Sequence, residues 1–193
     1  QTCALPISVM AYVKEHCAEE LAMLNAEVPE IKEIPTIRFH EAKQIMEEKF
    51  GHKSKNRYDL NPDEEVLLCQ WAKEEHDSDF VFVTHFPSAK RPFYAKDDPE
   101  DPKLALSFDL LFRGLEITTG GQRIHDYQEQ MDKLAARKMN AELFESFTML
   151  HKYGMPPHGG LGIGLERLTM QLLGLNNIRE ASMFPRDMNR LEP

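Results

Sequence analysis

Apolar residues Val9, Tyr12, Val13, Cys17, Leu21 and Leu24 recur at helical steps and predict an amphipathic helix over residues 8–25, stopping before Pro29. A short strand over 34–39 leads into a helix over 41–50, with Gly51 placed to cap it. Asn61, Pro62 and the acids Asp63, Glu64 and Glu65 then supply an N-cap, a first-turn proline and charge suited to a helix dipole, predicting a helix through Glu75. Beyond it the period becomes extended. Segments 79–85, 92–95, 107–113 and 115–119 are rich in β-branched and aromatic residues and read as strands, with an acidic, proline-bearing surface loop over 96–103. Helical spacing returns over 128–139 and 141–153, ending at Gly154, and a last helix runs from Gly164 to Gly174. Strands that follow one another directly, bracketed by helices, predict an α+β fold with an antiparallel or mixed sheet flanked by helices.

The chain has 193 residues, 41% hydrophobic and 28% charged, a globular ratio with length for one cored domain. Its apolar runs, such as Phe80-Val81-Phe82-Val83, are far shorter than the roughly 20 residues of a membrane helix, so no membrane partner is expected. Three cysteines without C-x-x-C spacing exclude a disulfide framework and a zinc site, and suit a reducing cytoplasm. The net charge of −9 opposes polyanion binding unless positive charge is concentrated locally or a nucleic-acid grip lies outside this chain. One codon choice for the first seven residues resembles a common sequencing adapter. Residues 1–7 are therefore expected to be a non-native leader, with the fold carried by 8–193.

Two segments carry candidate chemistry. In the first, four glycines of Gly159-Gly160-Leu161-Gly162-Ile163-Gly164 precede a helix with Arg167 near its start. Glycines allow close backbone approach, a helix start offers free N–H groups, and a guanidinium there can grip phosphate. The plainer alternative is a tight strand-to-helix junction with a surface Glu-Arg pair. In the second, a chain reversal near Arg113-Gly114 would bring Asp109 and Glu116 onto neighbouring antiparallel strands, about 5 Å apart. Two carboxylates so close suit Mg²⁺ shared with substrate phosphates; otherwise one faces solvent and the other pairs with Arg113 or Arg123. Gly120-Gly121 marks a bulge or a ligand contact beside Arg123, which can bind a small carboxylate bidentately or serve a structural ion pair. The eight histidines show no metal spacing, and His125 and His158 read as scaffold. No nucleophile elbow, P-loop or dinucleotide fingerprint is present.

Four strings carry a resemblance: Arg91-Pro92-Phe93-Tyr94; Gly114-Leu115-Glu116-Ile117-Thr118-Thr119-Gly120-Gly121-Gln122-Arg123-Ile124-His125; Gly164-Leu165-Glu166-Arg167; and Phe184-Pro185-Arg186-Asp187. Together they resemble the C-terminal part of the catalytic domain of class II aspartyl-tRNA synthetases of the archaeal and eukaryotic type, including the non-discriminating bacterial forms. The resemblance covers nearly all of the chain after Ile7. It implies aspartate activation with ATP and Mg²⁺, transfer of the aspartyl group to tRNA, and a cytoplasmic homodimer. It implies that Arg167 holds the ATP γ-phosphate, with Gly164, Leu165 and Glu166 lining the nucleotide. Asp109 and Glu116 match the acidic metal and ATP positions, and Arg123 the arginine that grips aspartate. Thr119 stands near metal and amino acid, where family members often have serine. The family's anticodon-binding barrel, first two motifs and substrate lysine have no counterpart here, which implies an N-terminally truncated piece with half an active site, inactive alone. An asparaginyl-tRNA synthetase, an ammonia-dependent asparagine synthetase and a non-catalytic binding or dimerisation module remain alternatives.

Overall fold

The computed structural model describes residues 4–192, in which five strands form one sheet. They lie in sequence order: β1 (Thr36–Arg38), β2 (Phe80–Thr84), β3 (Ser107–Phe112), β4 (Leu115–Arg123) and β5 (His158–Ile163). All neighbours are antiparallel except β1 and β2, which are parallel, so the sheet is mixed. The parallel pair needs a crossover. Helices α3 (Phe39–Phe50) and α4 (Pro62–His76) provide it, ending on left-handed Gly51 and Asp77. Before them come α1 (Ala4–His16) and α2 (Ala18–Met23); after β4 come α5 (Tyr127–Ala136), α6 (Glu145–Lys152) and α7 (Leu165–Leu173).

Phe80-Val81-Phe82-Val83 is apolar without interruption because both faces of β2 are covered. On one face, Ala42 and Met46 of α3 and Leu68 and Ala72 of α4 cover Val81, Val83 and Leu111. On the other, Met10 of α1 and Leu172 of α7 pack on Phe82, Leu110 and Ile117, with Phe80 stacked on Phe112 at 4.2 Å.

Several elements differ from the sequence expectation. The helix over 8–25 begins at Ala4, with Pro6 buried in its first turn, and breaks at Cys17. Past the break α2 buries no residue, so no packing holds the two segments in line. Segment 92–95 is a turn, Ala95 N–H donating to the Pro92 carbonyl, because Pro92 has no N–H for a ladder. Segment 141–153 divides into a 3₁₀ turn (Ala141–Phe144) and α6. The glycine run lies mostly within β5, whose low β-propensity residues gave no strand signal.

Candidate functional site

The site lies on the face of β3 and β4 turned toward α4. A two-residue turn at Arg113 and Gly114 joins the strands, with φ of +48° and +90°, so the expected reversal is present. Asp109 and Glu116, however, are not directly opposed. Asp109 faces Thr119 and Glu116 faces Leu111, because the register shifts between Leu110 and Leu111. That bulge decides the geometry. Residues 116 and 119, three apart, would point to opposite faces of a regular strand. With Ile117 in the opposite-face core and Thr118 paired to Leu110, Glu116 returns to the face of Asp109 and Thr119.

The Asp109 carboxylate accepts two hydrogen bonds from the Arg91 guanidinium, at 3.0 and 2.7 Å, and one from the Thr119 hydroxyl at 2.6 Å. Arg91 itself lies 3.8 Å over the Phe86 ring. The pairing is thus with Arg91 and not with Arg113 or Arg123; Arg113 binds Asp79 instead. Arg91, in the Arg91-Pro92-Phe93-Tyr94 string, is a site residue that spacing alone does not single out. Its site is set by the turn after Ser88–Lys90, which spacing does not reveal.

The Glu116 carboxyl is half-buried, and burial followed by the Asp109 charge pushes it above the ordinary glutamate value, against the pull of Arg167 and Arg91. Arg167 Nη1 donates to the Glu116 carbonyl at 2.8 Å and lies 3.8 Å from its carboxylate. The Arg167 side chain is 45% exposed, and its guanidinium makes only the one hydrogen bond among the described residues. Its helix is fastened to the bulge, since Gly164 caps α7 and its N–H donates to Ile117 O at 2.8 Å. Leu165 and Glu166 are exposed beside it. Glu65 of α4, read from sequence only as a helix-dipole acid, also reaches this place: it accepts the Glu116 N–H at 2.7 Å. Burial and then the Glu116 charge raise its carboxyl, although the hydrogen bond opposes the shift.

At the other end of β4, Arg123 lies on a cavity of about 280 Å³ lined also by Arg91, Tyr94, Thr119 and Gly160. The guanidinium is 5.0 Å over the Tyr94 ring, and among the described residues it has no ion-pair partner. A Cβ on Gly160 would fall 2.6 Å from this guanidinium, so any side chain there would displace Arg123 from its present position. Glu116 and Arg123 are seven positions apart, roughly 20 Å along the strand. His158 is partly buried, its Nδ1 facing the Pro156 carbonyl at 3.0 Å. Phe184 is exposed, and Asp187 pairs with Arg179.

Among the described residues no three His, Cys, Asp or Glu side chains form a metal-ligand set. The carboxylates still fit Mg²⁺, which commonly takes one or two carboxylates and draws other ligands from water and phosphate. Burial and the Asp109 charge raise the Glu116 carboxyl, an effect that a cation beside it would offset, and Asp109 keeps one of its about four acceptor positions free. No helix among the described residues is long and apolar enough to cross a membrane.

The family profile described as tRNA synthetases class II (D, K and N) matches residues 5–188. An aspartate–tRNA(Asp/Asn) ligase of Deinococcus radiodurans is 48% identical over 192 residues, which are 96% of this chain and 44% of that protein. Among solved structures, an aspartyl-tRNA synthetase from Entamoeba histolytica superposes with a TM-score of 0.79 at 36% identity, covering 84% of this chain and 33% of the other. An asparaginyl-tRNA synthetase from Pyrococcus horikoshii gives 0.85 at 33% identity, over 98% and 46%. The chain spans less than half the length of these proteins.

Proposed function

The chain belongs to the class II tRNA synthetases of the D, K and N group, and on that premise we propose that the full-length protein is an aspartate–tRNA ligase. The observation that carries the reading is the convergence of one charged face: Arg167 and Glu116 at one end of β4, Asp109 and Thr119 in the middle, and an unpaired Arg123 at the other end. An end offering an arginine and carboxylates suits a metal-bound triphosphate. A cavity with a free guanidinium suits a small carboxylate.

In this reading Arg167, with Gly164, Leu165 and Glu166 beside it, holds ATP. Glu116, Asp109 and Thr119 hold Mg²⁺, which when bound neutralises phosphate charge. Arg123 grips the side-chain carboxylate of aspartate; charge-assisted contacts of this kind contribute about 1.5–3 kcal/mol each. Held in line, the aspartate α-carboxylate attacks the α-phosphorus and pyrophosphate leaves; a terminal ribose hydroxyl of tRNA then attacks the aspartyl carbonyl of the adenylate and AMP leaves. Little covalent chemistry falls to the protein, and positioning and charge supply the rate. The proposal extends to a cytoplasmic homodimer whose tRNA contacts lie mainly outside this acidic chain. The Asp/Asn relative supports the further step of charging both tRNAs.

Pyrophosphate exchange by the full-length protein tests this. Aspartate should support exchange and asparagine should not. A preference for asparagine would transfer the reading to asparagine–tRNA ligase. Absence of exchange with both would favour a binding or dimerisation module.

A further inference from the structure

The three acids at the start of α4 have different surroundings. Asp63 is exposed, Glu64 bonds the Asn61 N–H as part of a capping box, and Glu65 leaves its helix to reach β4. Why it does so follows from the hairpin. Phe112 and Leu115 flank the two-residue turn and form a hydrogen-bonded pair. Leu111 and Glu116, the next pair, are then non-hydrogen-bonded, so the N–H and C=O of Glu116 point away from β3. Pairing with β5 begins only at Thr118, so no strand receives them. Both groups are met by charged side chains instead. Glu65 accepts the N–H at 2.7 Å and Arg167 donates to the C=O at 2.8 Å. The peptide that carries Glu116 is therefore gripped from α4 on one side and α7 on the other.

We propose that Glu65 is a positioning residue for the nucleotide end of the site: by holding the Glu116 N–H it fixes the bulge, and with it the direction of the Glu116 carboxylate and its contact to Arg167. The inference rests on the aspartate–tRNA ligase reading, and its own content is that α4 sets the geometry of the metal and phosphate end without touching substrate. Glutamine at position 65 keeps an oxygen acceptor for the Glu116 N–H, whereas alanine removes it. In the full-length protein, Glu65→Ala should lower kcat/KM for Mg·ATP in pyrophosphate exchange at least tenfold and leave KM for aspartate within twofold. Glu65→Gln should restore kcat/KM to within threefold. Hydrogen exchange at the Glu116 amide should rise in the alanine variant and stay slow in the glutamine variant. Alanine activity within twofold of wild type would overturn the proposal, as would equal losses for ATP and aspartate that follow a fall in Tm, or a glutamine variant as impaired as alanine. A wild-type protein that exchanges with neither amino acid would instead sink the ligase reading, and the amide measurement would still decide the clamp.

Discussion

Glu64 and Glu116 are both carboxylates taken from water, yet their surroundings push them in opposite directions. Glu64 lies fully buried between α3 and α4, where the Lys43 ammonium donates to it at 2.7 Å and the Asn61 N–H at 2.8 Å. Burial pushes its carboxyl up, but Lys43, Ser54 and the Asn61 amide together outweigh that and hold it below the ordinary value. Glu116 sits above it, because burial and the Asp109 charge outweigh Arg167 and Arg91. The difference teaches that burial alone does not set ionisation. Nearby charges and donors do: Lys43, Ser54 and the Asn61 amide outweigh burial at Glu64, although its Oε1 has no hydrogen-bond partner among the described residues, and at Glu116 Arg167 and Arg91 do not.

Removing the buried carboxylate paired with Lys43 should have the largest effect. Glu64→Ala leaves Lys43 largely buried without its partner and should destabilise the chain by about 3 kcal/mol in urea unfolding, the low end for a broken buried pair. A loss under about 1 kcal/mol would show that the α3–α4 pair is not what distinguishes the two regions.

A smaller effect separates the regions by pH. Glu64, held low when folded, contributes stability above the unfolded value of about 4.3 that is lost as pH falls through its lower folded value. Glu65 and Glu116, raised when folded, bind protons first in the native state, so their protonation stabilises the fold as pH falls from 7 through their raised values. Wild type should therefore gain on a Glu65→Gln, Glu116→Gln double variant between pH 7 and 5, by about 1 kcal/mol or less for such part-exposed groups. It should lose ground to Glu64→Gln below about pH 4.3. Thermal melts across that range check both, and a common sign for the two regions would break the comparison.

The sequence made the helices with strong end signals legible. Asn61, Pro62 and the following acids start α4, and Gly51 and Gly174 end α3 and α7 where expected. The hairpin and its charged residues were legible because turn chemistry and alternation are local. What escaped depends on tertiary context. β5 is rich in glycine, which carries no local strand signal, and α1 begins four residues before the predicted start. The cross-strand opposition of Asp109 and Glu116 was misplaced because nothing in the string announces a bulge at Ile117. Arg91 and Glu65 were missed as site neighbours because each arrives from an element distant in sequence, Glu65 from 51 residues away.

Glu116 is proposed to serve metal and phosphate and not the fold. Glu116→Gln in the full-length protein tests it in one preparation, read by aspartate-dependent pyrophosphate exchange beside the melting temperature. The account predicts at least about a 100-fold loss of exchange with a Tm equal to or above wild type. Exchange within threefold of wild type, or a loss of activity that follows a fall in Tm, would contradict it.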